Sequence, residues 1–263
     1  MLDRIRTILD PSRTKNVSTP VDVSGMAPAQ PLLVVGDLHG SFDLLGKCLK
    51  DVDVFVEARE ADLHGIPRLV FVGDYIDRGE HSARVLEWLH NLQKDLPDNV
   101  TCLMGNHERM MLEFLDDPAG RGQRWLRNGG LQTLASYKIG GVRENSDVEE
   151  LTEASHALEA ALPDGVLEWL RNLPLMHQSG NICVVHAGMD PHLEPEDQSS
   201  QVLLWGHKEF MTTPRNDNLW VVHGHTIVRG PQIAPSRISI DTVAYHIGRL
   251  TVEAFGLGTC EFI

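Results

Sequence analysis

Gly73-Asp74-Tyr75-Ile76-Asp77-Arg78-Gly79 follows directly on the apolar run Leu69-Val70-Phe71-Val72. A short aliphatic run that ends at glycine reads as a buried strand delivering Asp74 onto a loop, a place where a metal ion or a phosphate can be handled. The same pattern occurs upstream, where Leu33-Val34-Val35 runs into Gly36-Asp37-Leu38-His39-Gly40. It recurs downstream, where Val100 to Met104 runs into Gly105-Asn106-His107-Glu108. Three strand ends then present Asp37, His39, Asp74, Asn106 and His107 to one edge of a sheet, and that edge organises the reading of the rest.

Helical patterns separate these strands. Leu44, Leu45, Cys48 and Leu49 fall on one face between Phe42 and about Val52, and Val85, Leu86 and Leu89 do so between Ser82 and Leu92; a third helix is expected over Arg109 to Leu115. Strand, helix, strand in repetition predicts parallel pairing in an α/β layer, with ligands beyond the carboxyl ends of the strands. From Arg121 to about Leu173 the chain reads as helices joined by loops, an insertion suited to form one wall of a groove. Strands return at Ile182 to Val185, ending in His186, and at Trp220 to Val222, ending in His223-Gly224-His225-Thr226. Arg237 to Asp241 and Leu250 to Phe255 are expected to close a second sheet. Before all this, Leu2 to Leu9 has a short amphipathic pattern and Ser12 to Pro31 a linker-like composition. The division expected is therefore residues 1–31 as short helix and linker, and 32–263 as one catalytic domain.

Composition narrows the class. A formal charge of −14 disfavours binding to nucleic-acid backbones and to anionic membranes, which need clustered Lys and Arg. Cys48, Cys102, Cys183 and Cys260 are far apart and show no CxxC pairing, so neither a disulfide framework nor a thiolate zinc site is indicated. With no membrane-length apolar run and no secretory leader pattern, the chain reads as soluble and cytoplasmic. Oligomeric state leaves no mark on the sequence.

The polar groups at strand ends are Asp37, His39, Asp74, Asn106, His186 and His225, all nitrogen or oxygen donors. Such a set suits a divalent ion, manganese first, with iron or zinc as alternatives, better than a structural zinc cage. If Asp74 bridges, two ions fit: one on Asp37, His39 and Asp74, the other on Asp74, Asn106, His186 and His225. A pair of ions at about 3.5–4 Å activates water and clamps both oxygens of an in-line phosphoryl displacement. One Asp after a strand is ordinarily a cap, and one strand-end histidine ordinarily structural; five such places together are not accounted for that way.

Taken together, GDLHG, GDYIDRG, GNHE, His186-Ala187-Gly188 and Gly224-His225-Thr226 resemble the signature of the calcineurin-like metallophosphoesterases, and within them the phosphoprotein phosphatases of bacterial and phage (lambda) type. Asn128-Gly129-Gly130, Trp205 and Ile240-Asp241-Thr242 add to the likeness, which spans about Leu32 to Phe255. The resemblance implies two mixed sheets packed as a sandwich flanked by helices. It also implies His107 as general acid oriented by Asp77, and Arg78 and Asn106 as phosphate contacts. Relatives carry a second phosphate-binding arginine just after the tryptophan. Here the chain reads Gly206-His207-Lys208, so His207 or Lys208 is the candidate substitute, with Arg215 or Arg229 reaching in as alternatives. His225, directly before the threonine, is the expected ligand of the HGH triplet, with His223 behind it.

The activity so implied is a dinuclear-metal phosphomonoesterase, foremost a serine/threonine phosphatase acting on phosphorylated proteins or peptides. The alternative is a symmetrical bis(5'-nucleosyl)-tetraphosphatase, disfavoured by Asp77 and Glu108, and a remoter one an inactive scaffold of the same fold.

Overall fold

The computed structural model describes residues 23, 25–58, 65–256 and 259–263. The expected N-terminal helix, and the linker up to residue 22, lie outside the described residues.

The first third of the chain alternates as its pattern predicts: β1 (Leu32–Val35), α1 (Phe42–Ala58), β2 (Arg68–Phe71), α2 (Ser82–Asp95), β3 (Val100–Cys102) and α3 (Asn106–Asp116). The helical insertion follows as α4 (Pro118–Trp125), a π-type turn (Leu126–Gly130), α5 (Leu131–Ser136), α6 (Val148–Ala161) and α7 (Val166–Arg171). The second half contributes β4 (Met176–Ser179), β5 (Ile182–Val185), α8 (Ser200–Trp205), β6 (Trp220–His223), β7 (Gln232–Ala234), β8 (Arg237–Ser239), α9 (Ala244–Ile247), β9 (Val252–Gly256) and β10 (Thr259–Phe262).

Two five-stranded mixed sheets result, ordered β10-β9-β1-β2-β3 and β4-β5-β6-β8-β7. Each has three parallel strands, β1, β2, β3 in one and β5, β6, β8 in the other, with antiparallel strands at the margins. Alternation along β1 explains why all four of its residues are apolar and buried. Leu32 and Val34 meet Val184, Val222 and Ile238 of the other sheet, while Leu33 and Val35 face Leu45, Val85, Leu86 and Met111 of the helical layer. A third cluster, with Val185, Val221, Leu203 and Phe210, covers the outer face of the second sheet.

Two expectations are corrected. Leu250 to Phe255 does not close the second sheet: β9 lies antiparallel to β1 in the first, with Val34 opposite Glu253, where Val252 and Ala254 pack into the helical layer and Phe255 into the core between the sheets. The packed domain also begins before Leu32. Met26 is buried in the intersheet core, and Asn181 holds the segment by accepting from Ala27 N–H at 2.8 Å and donating to Gly25 O at 2.8 Å. Polar and small residues there are latched by Ser179 at the end of β4 and by Asn181 in the turn to β5, which composition does not reveal.

Glu253 is an acid inside this core, fully buried, with Oε1 accepting from Cys260 Sγ and Oε2 without a partner. Burial pushes its carboxyl up to about 9. The folded protein therefore keeps this proton up to about pH 9, whereas the unfolded chain releases it near 4.5, and stability falls as pH rises between those values. At pH 7 the penalty is about 3 kcal/mol. Glu253→Gln is expected to raise the urea midpoint at pH 7 to 8 and to leave it little changed at pH 4; an equal gain at both pH values would show that ionisation is not the cause.

Candidate active site

The parallel strands of both sheets end on the same side. Asp37, Asp74 and Asn106 follow β1, β2 and β3, while His186 follows β5 and His225 follows β6. Asp74 stands where they converge. Its Oδ2 lies 3.5 Å from His39 Nε2 and 3.7 Å from His107 Nε2, and its Oδ1 lies 3.3 Å from His186 Nε2 and accepts the His107 N–H at 3.0 Å. The last bond comes from the first turn of α3, whose free N–H groups favour negative charge. His39, Asp74 and His107 form one triad of converging donor atoms, and Asp74, His186 and His225 another, each within 4.8 Å. Asn106 Oδ1 joins the second, 2.8 Å from His186 Nε2 and 3.0 Å from His225 Nδ1. Asp37 accepts the His225 N–H at 3.0 Å and so ties the ends of the two sheets together.

The backbone is bent hard to achieve this. Among the described residues eight non-glycine positions have positive φ, and His39, Asp74, Asp77, Arg78 and His225 are five of them. Left-handed conformations cost free energy for such residues and persist only where the surroundings enforce them. Glycine supplies the clearance: a Cβ on Gly105 would collide with Asp74, and one on Gly224 with the Asp37 carboxylate.

Glu108, noted from sequence only as a distinguishing letter, is a brace. Fully buried, its carboxylate accepts N–H bonds from Asp74 (2.9 Å), Tyr75 (2.8 Å), Ile76 (3.3 Å) and Gly105 (2.9 Å), fixing the loop after β2 against that after β3. Burial and the Asp74 charge push its carboxyl up to about 8, opposed by His107 and by the Tyr75 and Gly105 N–H groups.

His107 and Asp77 are paired as the resemblance implies, with His107 Nδ1 donating to Asp77 Oδ2 at 2.6 Å. Burial opposes a charge on His107, but Asp74 and Asp77 outweigh it and raise the imidazole above its ordinary value. Asp77 is also held by two residues of the insertion that sequence reasoning passed over: Trp125 Nε1 donates to Oδ2 at 2.9 Å, and Thr133 Oγ1 to Oδ1 at 2.7 Å. With both carboxylate oxygens engaged, Asp77 presents a fixed acceptor to Nδ1 and leaves Nε2 directed toward Asp74. Arg78 Nη1 reaches His39 Nε2 at 3.0 Å and Nη2 reaches His107 Nε2 at 3.1 Å. Tyr245, also unforeseen, packs its ring 5.2 Å from that of His39 and 5.4 Å from the Arg78 guanidinium carbon. It follows Val243, whose left-handed φ of 61° is unfavourable for a β-branched residue and is held by an N–H bond to Asp241 Oδ1.

Other expected residues fall elsewhere. His223 is fully buried, its Nδ1 bonded to Gly224 O and its Nε2 to Ser239 Oγ, and burial lowers it to about 4; it is structural. Arg215 is tied to Asp217, Asp190 O and Leu193 O, so it does not reach in as a phosphate clamp. His207 faces Asp190 at 3.7 Å and accepts from Glu209 N–H; its hydrogen-bonding partners are not the members of the aspartate-histidine cluster.

Proton bookkeeping tests whether the cluster fits metal. His39 Nδ1 donates to Ile76 O at 2.8 Å and His186 Nδ1 to Val72 O at 3.1 Å. A carbonyl only accepts, so both Nδ1 atoms carry hydrogen. Burial, the largest influence on each ring, lowers both and keeps them neutral. The Nε2 of His186 is then a bare lone pair set against two acceptors, Asp74 Oδ1 at 3.3 Å and Asn106 Oδ1 at 2.8 Å, while that of His39, 3.5 Å from Asp74 Oδ2, is met by an N–H of Arg78. Acceptors aimed at acceptors repel unless a cation lies among them, and a backbone carbonyl on the far nitrogen is how metal-binding histidines are oriented. The cluster fits divalent metal, with Asp74 common to both triads.

A sandwich of mixed sheets carrying such a cluster at its strand ends defines a metal-dependent phosphoesterase. The model of the calcineurin-like phosphoesterases matches residues 30–229, and the chain belongs to that family. An asymmetrical bis(5'-nucleosyl)-tetraphosphatase of Oceanobacillus iheyensis is 24% identical over 84% of this chain and 87% of its own length. A symmetrical bis(5'-nucleosyl)-tetraphosphatase of Pseudomonas fluorescens is 31% identical over 60% of this chain and 42% of its own, so the match spans under half of that relative. In fold, the crystal structure of a candidate diadenosine tetraphosphatase aligns with a TM-score of 0.59 at 20% identity, covering 90% of this chain and 95% of that one. That of a cold-active protein tyrosine phosphatase variant aligns with a TM-score of 0.58 at 16% identity, covering 93% and 85%. Likeness at that distance concerns the fold alone. Among the described residues no helix is long and apolar enough to cross a membrane.

Proposed function

We propose that this phosphoesterase cleaves dinucleoside polyphosphates, in place of the phosphoprotein reading that the motifs first suggest. The observation that carries the chemistry is the arrangement about Asp74. A shared carboxylate among imidazole nitrogens lies beside a histidine whose far nitrogen is fixed by Asp77. Divalent ions held there, manganese foremost, supply Lewis acidity and neutralise phosphoryl charge. The chain's own groups do the rest. Arg78 holds phosphoryl oxygens with a planar, always charged fork. His107 delivers a proton from Nε2 to the departing oxygen, with Asp77 stabilising the imidazolium that donates it. Buried Glu108 and Trp125 keep these groups from moving apart.

Support for the substrate class comes from the relatives. Relatives of which this chain covers 87% to 89% are asymmetrical tetraphosphatases, which points to unequal cleavage of the four-phosphate bridge. With manganese and diadenosine tetraphosphate, chromatography of the products is expected to show ATP and AMP. Two ADP would instead assign symmetrical cleavage. Faster turnover of a phosphothreonine peptide, with no nucleotide product, would overturn the reading and restore the phosphoprotein one.

A further inference from the structure

We propose that Arg124, supported by Arg121 and Arg127, forms a second anion subsite for the phosphates of the bridge that are not being cleaved; this rests on the substrate class proposed above. All three arginines are exposed and lie at three-residue spacing on α4 and the turn after it, a basic strip on a chain of formal charge −14. The strip is anchored to the catalytic loop. Trp125, next to Arg124, donates to Asp77, and Gly129 O accepts from the Arg78 N–H at 3.3 Å.

Arg124 is also aimed. Its guanidinium carbon lies 4.4 Å over the ring of Trp205, and that ring lies 6.5 Å from the ring of His225. Through that one ring Arg124 is linked to His225 of the second metal-binding triad. Its carboxylate partner is Glu113 at 3.7 Å, with 44% of the Arg124 side chain exposed, so the charge is only partly neutralised and its N–H groups stay open to an anion. Stacking on Trp205 fixes the plane of the fork at little further cost in side-chain freedom. A single phosphoryl group seated at Asp74 has no use for this second cation. A chain of several phosphates has charge left over to meet it.

Competitive inhibition of para-nitrophenyl phosphate turnover by inorganic tripolyphosphate and by orthophosphate, with manganese in excess of both, tests the subsite. Arg124→Ala is expected to raise the inhibition constant for tripolyphosphate about tenfold, the loss of one charge-assisted contact, and that for orthophosphate less than threefold. The difference should shrink as salt is added. Arg124→Lys should recover part of it, and Arg127→Ala should cost about threefold on tripolyphosphate. An unchanged tripolyphosphate constant in Arg124→Ala would overturn the subsite. So would an equal rise for both anions, because the arginine would then act at the cleaved phosphoryl group or on the fold. Failure of the wild type to cleave diadenosine tetraphosphate would count against the substrate class alone, since the tripolyphosphate comparison reads the subsite independently.

Discussion

Asp74→Asn is expected to abolish metal binding and to lower hydrolysis of every phosphate substrate about a thousandfold or more while leaving the far-ultraviolet circular dichroism of the protein intact. Asp74 has a φ of 52°, a conformation that asparagine accepts as readily as aspartate, so the exchange removes charge with little backbone strain. An amide oxygen in the same place can still accept the His107 N–H. What is lost is the anion that both triads share. His39 and His186 would then direct their lone pairs at a neutral group that offers one oxygen in place of two, and neither triad would retain an anion. A thousandfold loss corresponds to about 4 kcal/mol, within what a metal's charge contributes to a phosphoryl transition state. Inductively coupled plasma analysis of the dialysed protein, beside the rate, checks both halves. A variant that kept its metal and its rate would remove Asp74 from the centre of the site.

Replacing His107 by alanine is expected to cost about a hundredfold to ten-thousandfold on substrates with basic leaving groups, and much less on para-nitrophenyl phosphate, whose phenolate departs without help. The informative measurement is the slope of log kcat/KM against leaving-group pKa over a series of aryl phosphates. A working acid flattens that slope, and its removal steepens it. Asp77→Asn should fall between the two, because Trp125 and Thr133 would still hold the side chain while the charge that stabilises the imidazolium is gone. Parallel slopes for wild type and His107→Ala would show that His107 only shapes the site.

The strand ends were legible from sequence because buried parallel strands write themselves as aliphatic runs, and because donors placed directly after such runs must emerge at one edge. The spacing that carries Asp37, His39, Asp74, Asn106, His186 and His225 is local to each motif. What holds them is not. Trp125 and Thr133 reach Asp77 across 48 and 56 residues, and no periodicity in an amphipathic insertion distinguishes an indole that turns inward to a carboxylate from one that fills a core. Glu108 lies within a recognised motif, yet a letter in a motif does not say that it will collect four backbone N–H groups. An alternating apolar strand fits either sheet, so the sequence does not place β9 beside β1; the choice is made by Val252 and Ala254, which pack against the helical layer of the first sheet. Left-handed residues escaped notice because His39, Asp74 and Arg78 are not glycine, so nothing marks them until the surrounding bonds are seen.

Three of the donor-bearing loops belong to one sheet, whereas His186 and His225 arrive from the other. A bound cation is thus a fastener across the sandwich as well as a reagent, and an N-terminal fragment carrying the three sequence motifs would own only part of its coordination. Loading should accordingly raise the melting temperature of both layers as a single event, by mass action on one shared state.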